Sequence, residues 1–174
     1  MRNVRANIEF GAQIAIAIAV LVAAGVLVKR SFFPGRVNPV DLPRINAGER
    51  LNVPNVDWKQ NKKTLVFFLK KDCVYCTSSA PLYRQLVEDA SKRNVVSLAI
   101  LPNSADEANK YLQYLQLPIK NVQTGSLSSY KIPGTPAVLF VNSEGIVRSA
   151  WFGAQPEREK EMRDKLVELF EGKD

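Results

Sequence analysis

The sequence predicts an α/β fold, a central mixed β-sheet flanked by helices, preceded by one N-terminal transmembrane helix. Three observations carry that expectation. Short apolar runs alternate with amphipathic helical segments from Thr64 to Gln116, two further strand-like runs meet at a tight turn before a last helix, and Phe10 to Val28 is almost unbroken apolar sequence. Alternation implies parallel neighbours and a hairpin adds antiparallel ones, so the sheet is mixed.

The 174 residues suffice for one domain plus attachments, and the 46% apolar content is that of a globular chain. Net charge is +7, from 24 Lys and Arg against 17 Asp and Glu. Part of that excess sits at Arg2, Arg5, Lys29 and Arg30, and the remaining bases are interspersed with acids. No basic stripe with aromatic partners results, so no nucleic-acid binding is expected, and the chain is read as a monomer. Histidine is absent altogether, which excludes Ser-His-Asp and Cys-His catalysis and every His-containing metal site. Two cysteines cannot build a disulfide scaffold or a four-ligand zinc site, and no cofactor or metal is expected.

Phe10 to Val28 holds Gln13 as its one strongly polar side chain. As a helix it spans about 28 Å, close to the hydrocarbon core of a bilayer. Its length and the Lys29-Arg30 stop distinguish it from a cleaved signal peptide, so residues 1–30 read as a membrane anchor. Lys29, Arg30, Arg36 and Arg44 outnumber the bases on the other flank. Charge alone therefore leans towards a cytoplasmic C-terminal domain, against the functional argument below. Residues 31–50, with Pro34, Pro39 and Pro43, read as an extended tether, and 51–174 as the domain.

Leu51 to Trp58 has a β-like pattern, and Gln60 to Lys63 forms a polar turn. Thr64-Leu65-Val66-Phe67-Phe68-Leu69 is apolar on both faces, as a central strand covered on both sides requires. Thr77 to Arg93 is helical, with Leu82, Leu86 and Ala90 on one face and a kink expected at Pro81. Val95 to Leu101 is a second buried strand. Ser104 to Gln116 is a helix capped by Ser104 with Glu107 three residues on, its inner face being Ala108, Leu112 and Leu115. Asn121 to Gly125 is a short strand or loop, and Leu127 to Tyr130 one helical turn. Ile132 to Val141 is a strand entered through prolines. Asn142-Ser143-Glu144-Gly145 turns the chain, Ile146 to Phe152 returns, and Gln155 to Phe170 is a helix with Met162, Leu166, Leu169 and Phe170 inward.

The only two cysteines, Cys73 and Cys76, stand three apart at the junction of the first strand and the first helix. Unsatisfied N–H groups and the macrodipole of a helix start stabilise a thiolate, lowering cysteine pKa values from near 8.5 to about 3.5–7.5. Cys73 thus reads as the nucleophile, and Cys76, one turn on and more buried, as the thiol that resolves a mixed disulfide. Lys70 and Lys71 add positive charge if they turn towards the site, and Asp72 is placed to cap the helix.

CxxC after a buried strand, Pro81 five residues past the second cysteine, and Gly134-Thr135-Pro136 opening the penultimate strand together resemble the thioredoxin superfamily. The resemblance covers Val53 to Phe170 and implies a thioredoxin-like fold. It implies that the peptide bond before Pro136 is cis and lies against the cysteines. Thr135, Pro136, Val74 and Tyr75 then contact the substrate. With its anchor and tether, the chain is most similar to the membrane-anchored TlpA/ResA group. That likeness implies a single-pass protein of the cell membrane with its domain on the extracytoplasmic (periplasmic) side. Its partners would be disulfides of extracytoplasmic proteins, including apocytochromes in cytochrome c biogenesis, and a membrane electron donor such as a transmembrane thiol reductase.

Departures from the family pattern leave the redox direction open. Asp72 stands where many members have an aromatic residue, and Phe67 where cytosolic thioredoxins bury an acid. Val74-Tyr75 matches neither the Gly-Pro nor the Pro-His dipeptide of well-known members. Thr135 and Tyr75 resemble the isomerases. Besides the reductant, the alternatives are a disulfide isomerase or oxidase, a peroxiredoxin-like peroxidase, and a non-enzymatic Cu(I) carrier.

Overall fold

The structure, a computed structural model, describes residues 43–172. The apolar stretch Phe10 to Val28 and most of the Pro-rich segment lie outside these residues. Among the described residues no helix is long and apolar enough to cross a membrane.

Five strands form one sheet in the order β3-β2-β1-β4-β5: β1 Thr64–Phe68, β2 Val96–Leu101, β3 Asn121–Thr124, β4 Ala137–Val141 and β5 Val147–Phe152. β1 is central and wholly buried, which is why it lacks the polar alternation of a half-exposed strand. It runs parallel to β2, with Thr64 opposite Val96, and antiparallel to β4, with Thr64 opposite Val141 and Phe68 opposite Ala137. The sheet is therefore mixed, as expected. β4 and β5 form the hairpin, with a register shift between Phe140 and Val141. Its turn is held by Asn142, whose Oδ1 accepts from the amides of Glu144 (3.1 Å) and Ile146 (2.9 Å), while Gly145 takes a φ of 78°.

Period-two alternation divides β1 between two cores. Leu65 and Phe67 pack with the inner faces of three helices: α3 Ala80–Lys92, α4 Ala105–Tyr114 and α5 Glu159–Glu171. Val66 and Phe68 face the other way, onto Ile45, Leu51, Val53, Tyr130 and Ile132. That second face is covered by the lead-in chain, by the four-residue helix α1 Trp58–Asn61 and by a 3-10 turn at Leu127–Tyr130. Helices thus flank both faces, unequally. At about 1.5–3 kcal/mol for each large side chain taken from water, both faces are needed to hold a sheet of this size.

The expected strand from Leu51 to Trp58 is not there. Leu51 donates its amide to the Gly145 carbonyl (2.8 Å) and Arg50 bridges Ile146, but the chain then turns into α1. Asp57 decides the matter, because its carboxylate accepts from the Gln60 amide (3.0 Å) as a helix N-cap. The compact fold also takes in residues upstream of Leu51: Ile45 is buried and its amide donates to the Lys131 carbonyl (3.0 Å).

The helix expected from Thr77 to Arg93 is two helices, α2 Val74–Ser78 and α3, separated at Ser79. Pro81 cannot donate to the carbonyl one turn back, and the chain answers with a break and a new helix start instead of a kink. At α4 the Ser104 cap forms as read, with Oγ accepting from the Glu107 amide (3.4 Å). The last helix begins at Glu159 after a 3-10 turn at Pro156–Arg158; Met162, Leu166 and Phe170 are buried, and Leu169 packs part-buried against them.

Candidate active site

Because β4 is antiparallel to β1 and Ala137 pairs with Phe68, the residues just before β4 lie at the carboxyl end of β1. The chain leaves that end through Leu69 to Asp72 and enters α2 at Cys73. Two segments distant in sequence thereby meet. The Thr135-Pro136 peptide bond is cis, and the Thr135 carbonyl oxygen lies 3.6 Å from the Cys73 sulfur, within reach of its S–H.

Cys73 itself is the N-cap of α2, with extended backbone and a sulfur that accepts from the Cys76 amide at 3.2 Å. A sulfur here occupies the place that a Ser or Asp oxygen takes in most helices. Asp72 is not the cap: its φ of 63° marks the turn out of the strand, a conformation that Asp tolerates better than most residues. Nor does Lys71 turn to the sulfur. Its ammonium pairs with Glu107 at 3.2 Å, which holds the Lys71 pKa above and the Glu107 pKa below their ordinary values.

Cys76 is fully buried among the side chains under the helices. Burial is the main reason that its thiol is pushed up to about 12, with the Cys73 thiol adding in the same direction and the Lys70 backbone and Thr135 opposing. Part-exposed Cys73 and buried Cys76 are thus chemically unequal. Val74 and Tyr75, between them, point outward at 75% and 65% exposure.

Beneath the pair, Phe67 packs edge-on against Tyr83, ring centres 5.5 Å apart. Burial raises the Tyr83 phenol well above its usual value, and the charges that the two thiols could carry add to this. Beside the pair, the Thr77 hydroxyl donates to the Cys73 carbonyl (3.3 Å) and lies 3.3 Å from the Tyr111 hydroxyl. Sequence reading singled out neither Thr77 nor Tyr111. A signal existed for Tyr111, which lies three residues after Ala108 and so on the same inner face.

The AhpC/TSA family model matches residues 41–150. A comparison with curated proteins gives no match. Among solved structures, the chain is similar to a putative thiol:disulfide interchange protein DsbE from Chlorobium tepidum, with 16% identity over 72% of this chain and 99% of that one and a TM-score of 0.57. It is similar to the thioredoxin domain of a thiol-disulfide oxidoreductase from Bacteroides vulgatus, with 18% identity, 71% and 99% coverage and a TM-score of 0.57. A mutant PrxQ from Xylella fastidiosa gives 14% identity, 74% and 99% coverage and a TM-score of 0.56. At these identities the likeness speaks for the fold, which is thioredoxin-like. The match of the family model over most of the chain places this protein in the AhpC/TSA family.

Proposed function

We propose that this protein is a membrane-tethered thiol-disulfide oxidoreductase that reduces disulfides of extracytoplasmic proteins. One observation carries the reading: the part-exposed Cys73 sulfur lies between the Cys76 amide and the Thr135 carbonyl, with a second thiol buried one turn behind it. The Cys73 thiolate attacks one sulfur of the partner's disulfide, the S–S bond breaks, and the departing sulfur leaves as a thiolate that takes up a proton. Cys76, having lost its proton, then attacks the Cys73 sulfur and releases the second partner thiol. The partner gains two electrons and two protons, and the protein is left with a Cys73–Cys76 disulfide. A membrane thiol reductase returns it to the dithiol.

Thr135 and Pro136 supply the backbone against which an extended partner lies, and exposed Val74 and Tyr75 the apolar contact beside the sulfur. The Phe10 to Val28 stretch supports a single-pass anchor in the cell membrane, with the domain on the periplasmic side. The named activities of the Chlorobium and Bacteroides proteins agree with disulfide exchange.

The test is reduction of insulin by the dithiol form. Turnover in the wild type and its loss in Cys73→Ser support the proposal, and equal activity in both overturns it. The likeness to PrxQ favours a peroxidase as the second reading, although Lys70 stands where that branch normally has Thr. Consumption of hydrogen peroxide without insulin reduction would select it.

A further inference from the structure

Among the described residues, three large apolar side chains remain exposed. Val74 and Tyr75 follow Cys73 directly; the third, Tyr114, is 71% exposed near the end of α4. Tyr114 lines a groove of about 390 Å³ together with Asp72, Thr77 and Tyr111. The groove adjoins the thiol site, since Asp72 precedes Cys73 and Thr77 is hydrogen-bonded both to the Cys73 carbonyl and to Tyr111.

Tyr111 and Tyr114 form the aromatic side of the groove, and Lys71, Asp72, Glu107 and Lys110 line the rest. The Tyr111 and Tyr114 rings lie 6.4 Å apart with 19° between their planes, a stacked pair whose outer member has an open face. The charges on the rim are mostly matched: Lys71 pairs with Glu107 at 3.2 Å and Lys110 with Asp106 at 2.7 Å. An ion would find little unmatched charge here, whereas a third ring could extend the stack and cover apolar surface.

We propose that this groove seats an aromatic side chain of the partner polypeptide, close in sequence to the cysteine under attack. The protein then selects disulfides flanked by an aromatic residue. The inference rests on the exchange reading above and adds the kind of sequence it prefers. An extended chain rises about 3.3 Å per residue, so a ring two residues from the target cysteine reaches about 7 Å along the surface from the sulfur, towards the groove that begins at the residue before Cys73.

Heptapeptides with a central cysteine held in a mixed disulfide with thionitrobenzoate test this. Trp is placed two residues before the cysteine, two residues after it, or is replaced by Ala, and thionitrobenzoate release by the dithiol protein is followed. The wild type is expected to favour one Trp peptide over the Ala peptide by about three- to tenfold. Tyr114→Ala, a change at an exposed site, should erase that preference, and Tyr114→Phe should keep it. Equal rates in the wild type, or a preference that survives in Tyr114→Ala, overturn the groove and leave the exchange reading standing. Failure of the wild type to react with any peptide overturns the exchange reading itself, and the groove with it.

Discussion

The Cys73 sulfur lies 3.6 Å from the carbonyl oxygen of Thr135, a residue 62 positions later in the chain. The register that sets Phe68 opposite Ala137 brings them together. Under the proposed function, a partner strand that pairs with the backbone at Thr135 would carry its own sulfur to Cys73, so recognition and reaction would share one residue's width of chain.

Cys76→Ser should stop the reaction half-way. With insulin as partner, this variant is expected to accumulate a mixed disulfide at Cys73, seen as a shifted band on non-reducing gels, whereas Cys73→Ser forms none. Absence of an adduct on Cys76→Ser would remove Cys76 from the resolving role.

Alkali should destabilise the dithiol form through Cys76. Its folded pKa, about 12, lies above the unfolded value of about 9, so above pH 9 the unfolded state binds fewer protons and stability falls as pH rises. The limiting slope for one group is about 1.4 kcal/mol per pH unit, between roughly pH 9 and 12. Urea unfolding of the reduced protein at pH 8, 9 and 10 should show this loss, and Cys76→Ala should show a shallower one. The raised Tyr83 phenol acts in the same direction and persists in that variant.

Phe67→Ala removes a fully buried ring from the central strand and its edge-on partner Tyr83. The expected cost is about 3–5 kcal/mol, read as a lower urea midpoint with unchanged m-value.

The elements that define the fold could be read because each carries a local signal. Thr64 to Leu69 is apolar on both faces, Ser104 caps α4, and Asn142 with Gly145 makes the hairpin turn. Trp58 fits the apolar spacing of a strand from Leu51, but the Asp57 cap starts a helix there. Asp72 is one residue too early to cap α2: it takes the left-handed turn out of β1, and the cap falls to Cys73, whose sulfur accepts from the Cys76 amide. No local pattern could place Thr135 against Cys73, since that contact follows from the β1–β4 register, a pairing between distant segments. The Thr135-Pro136 platform came instead from the likeness of motifs. Tyr114 gave no signal, because its interest lies in what it shares a groove with.

Asp89 ties α3 to α5: its carboxylate accepts from Arg163 at 2.8 Å and faces Arg93 at 3.8 Å. Asp89→Ala leaves both guanidinium groups without that partner and should cost about 1–3 kcal/mol in urea unfolding. A cycle with Arg163→Ala separates the direct pair from the packing around it.

The lead-in chain from Ile45 to Val53 is the cover of one side of the sheet, and this sets where the domain can be severed from whatever precedes it. A protease cutting before Ile45 would leave both cores of the sheet intact. A cut after Val53 would strip Ile45 and Leu51 from Val66 and Phe68 and leave an aggregation-prone remnant. The boundary between a cut that leaves the sheet covered and one that bares it therefore falls within a few residues of chain.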